Sequence, residues 1–499
     1  MPPQSELGPR VLFVAAEAFP LAKTGGLADV CGALPSALAR LGVEIVSMIP
    51  GYPQALDATI AKESVGELDL PLANRLVAGI SPLTGLPVLL FDCPVLFRRG
   101  GTLYQDSDGE DWRDNDRRFS FFCQAAAQVA LGRTPLVAPD IVHAHDWHAG
   151  LVPTLLRLAG RHRPRTVFTI HNLAFQGNFP LEAFRDLGLP GEVLSSDGIE
   201  FFGRGSFVKA GIRYSDRLTT VSLTYAREIL TPEHGCGMDG LLRSRSRDLV
   251  GILNGIDHEI WDPAVDAALP VRYSADDLLG KDACKSDLRE ALGLEHDSCA
   301  PLMIYVNRLT HQKMADVVLD ALPRLVESGA QLVVHGSGEA AFEAAFTAAA
   351  ATHPGQVAVR LGYSESLAHR IIAAADVSLT PSRFEPCGLT TMYAMRYGAV
   401  PVTRKVGGLA DTVSDVQTTS GTGFVFEGGR AQDLLVGIGR ALARYERREA
   451  WVGLQHRAMK RDFGWERSAA RYREIYLDLL GRAGEAHGEA VSPESHAAE

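Results

Sequence analysis

Two basic residues stand five positions apart in the segment NRLTHQK, directly after an apolar run that is typical of a strand. They are Arg308 and Lys313. At the carboxyl end of a strand such a pair can hold a diphosphate, because arginine offers a forked pair of donors and lysine a compact charge. Two solvated surface charges without a ligand are the alternative interpretation. The spacing therefore predicts an anion site, and the surrounding segments must support it.

The segment KTGGLADV (23–30) lies between a strand pattern and a helical pattern. Glycines let backbone N–H groups approach a ligand, the amino end of a helix favours anions, and Lys23 adds a positive charge. The segment matches neither GxxxxGK[ST] nor GxGxxG. A tight turn with a surface lysine is the alternative. The letters GGLAD recur at 407–411, which predicts a second glycine turn before a helix, and we expect nucleotide contact for the first copy only.

The segment SRFEPCGLTTMYAMRYG (382–398) combines a carboxylate with a helix start. Gly388, Leu389 and Thr390 open the helix, where free N–H groups suit a phosphate. Glu385 beside an anion is unfavourable unless it faces sugar hydroxyls or a positive charge that develops on a sugar. An acid that only caps the helix is the alternative.

The segment HAHDWHAG (143–150) carries three histidines, but its spacing is not HExxH and no supporting set of carboxylate and histidine follows. We predict no metal here. His145, Asp146 and Trp147 suit sugar contact or the shaping of a cleft.

The acidic segment YQDSDGEDWRDND (104–116) fails the EF-hand pattern, because the position that needs glycine is Asp111 when Asp106 is the first ligand. Acids and aromatic rings together suit carbohydrate hydroxyls and sugar faces. A solvated acidic loop is the alternative.

Strand and helix patterns alternate along the chain in two series, one beginning near residue 10 and the other near residue 300. Several strands end in His, Asn, Asp or Ser, as expected for parallel sheets whose ligands lie at the carboxyl edge. The predicted fold is α/β, with two doubly wound Rossmann-like domains facing across a cleft. The predicted boundaries are 1–255 and 256–462 for the domains, 463–480 for a C-terminal helix that packs back on the N-terminal domain, and 481–499 for a disordered tail.

The composition excludes some classes of function. The net charge of -11 argues against nucleic acid or an anionic membrane as the main partner. Seven scattered cysteines without CxxC fit a reducing cytoplasm. No apolar run is long enough for a signal peptide or a membrane span, so we expect a cytoplasmic protein.

Seven segments occur in an order and spacing that resemble the glycogen and starch synthases of bacteria and plants. They are KTGGLADV, HAHDWHAG, IHNLAFQG, VSLTYAREI, GILNGID, RLTHQK and SRFEPCGLT. The resemblance runs from about residue 10 to residue 480. It implies a retaining glycosyltransferase of the GT-B fold that transfers glucose from ADP-glucose to the non-reducing end of an α-1,4-glucan, without a metal or other cofactor.

The resemblance also implies roles for particular residues. Catalytic roles fall to Glu385, His171, Arg308 and Lys313. Contacts with the donor fall to Lys23, Gly26, Asp29, Asn254, Tyr363, Cys387, Gly388, Leu389 and Thr390. Acceptor-side positions are Asp111, Trp112, Asp114 and Asn115.

The same resemblance implies a front-face mechanism, because no Asp or Glu is clearly placed as the nucleophile that double displacement requires. The leaving phosphate would deprotonate the acceptor. The backbone carbonyl of His171 and the Glu385 carboxylate would stabilise positive charge on the sugar, while Arg308 and Lys313 would stabilise the departing ADP.

The chain departs from the family pattern at two positions. Met314 stands where the family usually has the glycine of QKG, and Thr391 stands where it usually has glutamine. Methionine in place of glycine at position 314 predicts crowding of the loop that holds Lys313, or altered affinity for the donor.

Three other functions remain open. They are a GT-B enzyme that uses UDP-glucose or another acceptor, a glucan-binding scaffold without activity, and a glucan phosphorylase. The phosphorylase would need a pyridoxal phosphate lysine motif, which we do not find.

Overall fold

The computed structural model describes residues 8–297 and 299–481, which form two compact α/β units. Within these residues the first unit takes the chain up to Thr220, then Ile229–Ile252, and again from Trp465. The second unit takes Val221–Glu228 and Leu253–Gly464. The segment 221–228 and the residues from 253 thus belong to the second unit, whereas the sequence-based boundary lies at 255. The tail predicted to be disordered lies outside the described residues, except for its first residue.

A nine-stranded sheet forms the centre of the first unit, which also contains a three-stranded antiparallel sheet. The strands of this unit are β1 Arg10–Val14, β2 Glu44–Pro50, β3 Ile60–Gly66, β4 Arg75–Ile80, β5 Pro87–Asp92, β6 Ile141–His145, β7 Arg165–Ile170, β8 Asn178–Pro180, β9 Glu200–Phe201, β10 Arg204–Ser206, β11 Arg217–Thr220 and β12 Leu249–Gly251.

The large sheet has the order β12-β11-β7-β6-β1-β2-β5-β4-β3. Neighbouring strands from β12 to β5 pair in parallel. Strand β4 pairs antiparallel with β5, and the edge strand β3 pairs antiparallel with β4. The central strands β6 and β7 are almost entirely buried, because both faces of a parallel sheet are covered.

A six-stranded parallel sheet forms the centre of the second unit, with the order β15-β14-β13-β16-β17-β18. Its strands are β13 Leu302–Val306, β14 Gln331–Gly336, β15 Val357–Leu361, β16 Val377–Thr380, β17 Val400–Arg404 and β18 Phe424–Phe426. Counted from its first strand, this is the 3-2-1-4-5-6 order of doubly wound nucleotide-binding folds. The predicted α/β class with two doubly wound domains is confirmed.

Helices alternate with the strands, as parallel connections require. They are α1 Gly26–Arg40, α2 Pro53–Ala58, α3 Pro94–Phe97, α4 Asn115–Ala130, α5 Val152–Leu158, α6 Leu181–Asp186, α7 Phe207–Tyr214, α8 Leu223–Glu228, α9 Asp239–Ser244, α10 Leu279–Leu292, α11 Ala315–Glu327, α12 Ala340–Thr352, α13 Glu365–Ala374, α14 Leu389–Arg396, α15 Gly407–Thr412, α16 Ala431–Tyr445, α17 Arg448–Met459 and α18 Glu466–Leu479.

The last helix, α18, belongs to the first unit and packs against α1. Its apolar face buries Ala469, Tyr472 and Tyr476. The Tyr476 hydroxyl reaches the sheet, where it lies 2.7 Å from Nδ1 of His143 in β6. Helix α18 is therefore part of the packing against the first sheet.

A buried histidine in the second unit makes stability depend on pH. Nδ1 of His369 lies 2.7 Å from the Asp266 carboxylate, and the His369 ring stacks on Trp261 at 3.8 Å. Burial opposes the charge, but the carboxylates of Asp266 and Glu365 outweigh it and raise the pKa of His369.

A raised pKa in the folded state means that protonation stabilises the fold below the unfolded-state pKa of about 6.5, and this contribution is lost as pH rises through the folded pKa. We expect His369→Gln to lower the urea midpoint more at pH 5.5 than at pH 8.5. The exposed His296, replaced in the same way, should keep the wild-type pH dependence. An equal loss for His369→Gln at both pH values would contradict the expectation.

Candidate active site

The first candidate site lies where the order of the nine-stranded sheet reverses. From β1 the chain passes to β2 on one side, whereas β6 lies on the other side of β1. The loops that follow β1 and β6 therefore leave from neighbouring strand ends in opposite directions, which opens the crevice where such sheets bind ligands. The KTGG turn follows β1, and the segment DWH follows β6.

An ion pair orders the KTGG turn. Nζ of Lys23 lies 2.7 Å from Oδ1 of Asp29, and both side chains are mostly buried. Asp29 stands in the first turn of α1, which begins at Gly26. The structure thus brings together the three donor-side residues predicted for this turn.

A buried carboxylate that the sequence analysis did not single out holds the same turn. Glu17 is 3% exposed and follows β1. It accepts hydrogen bonds from the backbone N–H of Thr24 at 2.6 Å, the Thr24 hydroxyl at 2.6 Å and the backbone N–H of Gly25 at 3.3 Å. These two amides bond within the protein, so a ligand anion at this turn depends on Lys23 and on the amides from Gly26 onward. An acid within the otherwise apolar run VLFVAAEAFP was the available signal.

Glu17 also connects the turn to the acidic loop at 104–116. The Tyr104 hydroxyl donates to Oε1 of Glu17 at 2.5 Å, and the Tyr104 ring stacks on His148 at 4.5 Å. Two predicted regions that are about 80 residues apart in sequence therefore share one carboxylate.

The four acceptor-side positions differ in exposure. Asp111 is exposed, whereas Trp112 and Asp114 are half-buried. Arg99 forms two hydrogen bonds to the Asp114 carboxylate, at 2.7 and 2.6 Å, and lies over the Trp112 ring at 4.9 Å. Asn115 is 4% exposed and donates to the Tyr104 carbonyl at 3.0 Å, so its side chain holds the loop from beneath.

His171 follows β7, the neighbour of β6, and its Nε2 lies 3.0 Å from Nδ1 of His145. Burial lowers the pKa of His171 to about 3 and lowers the pKa of His145 well below its ordinary value. Both imidazoles are therefore neutral at physiological pH. The side chain of His171 can contact a ligand through hydrogen bonds but not through a positive charge.

Asp146 is a second residue absent from the predicted site set. It adopts a positive φ of 58°, an uncommon conformation for a residue other than glycine. Its carboxylate is buried near the backbone N–H groups of Trp147, Asn172 and His171, and its Oδ1 has no hydrogen-bond partner among the described residues. Burial nevertheless raises the pKa of Asp146 to about 8. The signal in the sequence was the acid among three histidines, which the sequence analysis noted only as a possible sugar contact.

The second candidate site lies at the reversal point of the six-stranded sheet, between β13 and β16. The loop after β13 carries Arg308 and Lys313, and the loop after β16 carries Glu385. Lys313 and Glu385 form a close ion pair, with side chains 14% and 9% exposed. The Ser382 hydroxyl donates to the same Glu385 oxygen at 2.8 Å, and Arg308 stands exposed at the loop.

Met314, which replaces the glycine usual in the family, lies immediately before α11 and has a positive φ of 58°. This left-handed conformation explains why glycine suits the position. The Met314 side chain is fully buried in the core of the second unit. Met314 therefore combines left-handed backbone strain with a filled core position. An effect on the Lys313 loop or on donor affinity stays a prediction.

Replacing Met314 compares the cost of its backbone strain with the stabilisation from burying its side chain. Glycine would relieve about 1 kcal/mol of left-handed strain but remove burial worth about 1.5–3 kcal/mol, so we expect net destabilisation. Alanine loses the burial and keeps the strain, so the expected order of stability is Met, then Gly, then Ala. Urea unfolding of the three proteins checks this order, and a Gly variant more stable than the wild type would contradict it.

The second GGLAD copy packs against the main chain of the Glu385 loop. A Cβ at Gly407 would lie 1.9 Å from the Glu385 carbonyl oxygen, and a Cβ at Gly408 would lie 2.1 Å from the Cys387 carbonyl oxygen. The backbone N–H of Gly408 donates to the Glu385 carbonyl at 2.9 Å. These glycines allow the start of α15 to contact the main chain that carries Glu385.

The segment 221–228 holds the same region of the second unit. The Ser222 hydroxyl donates to the Pro386 carbonyl at 2.6 Å. Thr224 donates from its backbone N–H and its hydroxyl to Asp411, at 2.8 and 2.6 Å, and Glu228 accepts from the Gly407 N–H at 2.9 Å. The predicted motif VSLTYAREI thus has a structural role that its sequence did not reveal.

The remaining donor-side residues lie around this loop, with one exception. Asn254 is buried against Cys387, whose pKa burial raises to about 12, and Oδ1 of Asn254 has no hydrogen-bond partner among the described residues. Leu389 and Thr390 open α14 after Gly388, which has a φ of 88°. Tyr363 stands apart, 64% exposed, after the edge strand β15. Thr391, the second departure, is fully buried in α14.

In residues 8–297 and 299–481, no three His, Cys, Asp or Glu side chains gather in an arrangement that could hold a metal ion. Of the helices listed above, none is long and apolar enough to cross a membrane.

Family models match both halves of the chain. The starch synthase catalytic domain matches residues 10–244, which include the KTGG turn and the HAHDWH segment. The model of glycosyl transferases group 1 matches residues 289–453, which include Arg308, Lys313 and Glu385.

Similar proteins cover almost the whole chain. A glycogen synthase of Burkholderia thailandensis is 52% identical over 94% of this chain and 91% of its own length. A glycogen synthase of Paramagnetospirillum magneticum is 48% identical over 95% of this chain and 98% of its own. A solved structure, the catalytic domain of starch synthase IV from Arabidopsis thaliana bound to ADP and acarbose, has a TM-score of 0.87 and 34% identity, covering 95% of this chain and 100% of that one.

The structural similarity confirms the predicted GT-B fold, and the relatives confirm a glycosyltransferase that transfers glucosyl groups. Two sets of buried polar side chains, each at the reversal point of a parallel sheet, stand in segments that these family models match. The chain belongs to the glycogen and starch synthase family of glycosyltransferases.

Proposed function

We propose that this chain transfers glucose from ADP-glucose to the non-reducing end of an α-1,4-glucan such as glycogen, with retention of the anomeric configuration. The observation that carries the proposal is the cluster at the end of β13 and β16. Lys313 and Arg308 supply positive charge to a leaving diphosphate, and Glu385 lies beside Lys313 where positive charge on a sugar would develop. The solved relative bound to ADP and acarbose supports an ADP donor and a glucan acceptor.

We assign further residues to the donor. Lys23, with Asp29, contacts the nucleotide, and the amino end of α14 at Leu389 and Thr390 supports the diphosphate. The buried Oδ1 of Asn254, which no described residue bonds, suits a sugar hydroxyl that can donate to it. Tyr363 is exposed enough to stack on an adenine ring.

Retention without a covalent glucosyl-enzyme is favoured by the state of two of the buried carboxylates, Glu385 and Asp146. Glu385 is engaged by Lys313 and Ser382. Burial raises the pKa of Asp146 to about 8 and leaves it largely protonated at neutral pH, which disfavours a nucleophilic role. In the proposed step the acceptor 4-hydroxyl attacks the anomeric carbon from the face that ADP leaves, and the leaving phosphate takes the hydroxyl proton. The main-chain carbonyl of His171 and the Glu385 carboxylate stabilise the positive sugar.

The decisive experiment measures incorporation of labelled glucose into glycogen from ADP-glucose and UDP-glucose in parallel. We expect transfer from ADP-glucose and α-1,4 linkages in the product, checked by NMR of the anomeric protons. Preference for UDP-glucose would identify the alternative donor. Glycogen binding without turnover of either donor would identify an inactive scaffold.

We also propose that no metal ion or other cofactor takes part, because Arg308 and Lys313 supply the charge that a divalent ion gives other nucleotide-sugar reactions. The initial rate is expected to remain unchanged in excess EDTA and after addition of Mg²⁺ or Mn²⁺ to chelator-treated enzyme. A rate that falls with EDTA and returns with one metal would contradict this.

The location that we propose for the protein is the cytoplasm.

A further inference from the structure

The hydrogen bond between His145 and His171 has a direction that the surrounding structure decides. Nδ1 of His145 and Nε2 of His171 are 3.0 Å apart. Each neutral imidazole carries one proton, so one of these nitrogens donates and the other accepts. The direction determines on which nitrogen His171 holds its proton.

The other nitrogen of His145 distinguishes the two cases. His145 is fully buried, and its Nε2 has no hydrogen-bond partner among the described residues. If His171 donated, the proton of His145 would lie on Nε2 and form a buried N–H without an acceptor. If His145 donates from Nδ1, Nε2 is only an unused acceptor. A buried donor without a partner is rarer in proteins than an acceptor without one.

The ring of His145 is held in place for this bond. It packs against Phe13 of β1 with ring centres 3.9 Å apart and against His143 with centres 4.0 Å apart. His143 is fixed in turn, because its two nitrogens lie 2.7 Å from the Tyr476 hydroxyl and 2.6 Å from the Thr169 hydroxyl. The donor geometry of His145 therefore comes from packing and not from the ligand.

The next residue fixes the backbone at the same place. Asp146 donates its backbone N–H to the Thr169 carbonyl of β7 at 2.9 Å, and its buried carboxylate lies near the backbone N–H groups of His171 and Asn172. The residues at the carboxyl end of β6 thus lie against both the main chain and the side chain of His171.

We propose that His145 is a positioning residue that donates from Nδ1 to Nε2 of His171 and so fixes His171 as the tautomer protonated on Nδ1. The importance of this for glucosyl transfer rests on the proposed function, in which His171 contacts the transferred glucose. A substrate group that meets Nδ1 of His171 must then accept a hydrogen bond.

The tautomer can be measured without substrate. The full-length protein, labelled with ¹⁵N in its histidines, gives distinct shifts for protonated and unprotonated ring nitrogens, and His171→Asn assigns the His171 signals by their loss. We expect the proton on Nδ1 of His171. A proton on Nε2 would overturn the proposal, whichever nucleotide sugar the enzyme uses.

Two variants separate hydrogen bonding from packing. The side-chain amide of His145→Asn can place a donor near the position of Nδ1, whereas His145→Leu has similar bulk and no donor. We expect His145→Leu to lower kcat about 10- to 100-fold with a smaller change in the donor KM, and His145→Asn to recover most of kcat.

The outcomes separate the two claims. Equal loss of kcat in both variants, at matched thermal stability, would reduce His145 to a packing residue and overturn the proposal. Absence of ADP-glucose turnover in the wild type would refute the proposed function, while the ¹⁵N measurement would still decide the tautomer.

Discussion

Replacing Lys313 with alanine is expected to lower the turnover number of glucosyl transfer by at least about 10²-fold, equivalent to about 2.7 kcal/mol at the transition state. The change removes the charge that the proposed function places next to the leaving diphosphate. It also leaves the Glu385 carboxylate buried without its cation, with the Ser382 hydroxyl as its remaining side-chain donor among the described residues. Initial rates with ADP-glucose and glycogen measure the effect, and Arg308→Ala should change the rate in the same direction.

The matched control is Lys405, which pairs with Glu427 at 3.1 Å in the same unit but is exposed, as is its partner. An exposed pair contributes little, so Lys405→Ala should leave rate and stability near those of the wild type. Near wild-type kinetics for Lys313→Ala would refute the diphosphate assignment. A fall in thermal stability that accounts for the lost rate would show a structural role instead.

Replacing Gly407 with alanine is expected to lower the free energy of unfolding by about 2 kcal/mol or more. Its φ is +44°, and left-handed strain costs about 1 kcal/mol for alanine. The new Cβ would lie 1.9 Å from the Glu385 carbonyl oxygen, so the loop must move, which typically costs about 1–3 kcal/mol more. Because Glu385 moves with its carbonyl, the folded variant should also lose roughly 10²-fold in kcat.

The chain provides its own control, since Gly25 holds the equivalent position in the first GGLAD copy. Gly25 has an extended φ of -163°, and a Cβ there would meet no atom within 4 Å. Gly25→Ala should therefore leave thermal stability unchanged. Calorimetry of the two variants compares the copies, and equal melting temperatures for both would contradict the structural distinction between them.

Much of the fold and of the site follows from local sequence. Alternating strand and helix patterns predict parallel sheets, and polar residues at strand ends predict ligand edges, because these patterns depend only on near neighbours. Lys23 with Asp29, and Lys313 with Glu385, were predicted as members of the same sites and lie within bonding distance in the structure. The family resemblance joined these segments into one activity.

Other site residues were not identified because their roles depend on contacts between distant segments. Glu17 appears in the sequence as one acid in an apolar run, and only the fold brings it to both Thr24 and Tyr104. Asp146 was predicted only to suit sugar contact or the shaping of a cleft, and only the fold buries its carboxylate near the main chain that follows β7, the neighbouring strand. No local pattern encodes which carboxylate these loops surround.

The sequence by itself determined the fold class, the two charged clusters and the family, because each rests on residue type and short-range spacing. The tertiary structure alone decided what the two identical GGLAD copies do. The first begins a helix with space beside Gly25, whereas the second contacts the main chain of the Glu385 loop. The difference arises because a glycine's function is set by the atoms that a side chain would displace, and those atoms come from elsewhere in the chain.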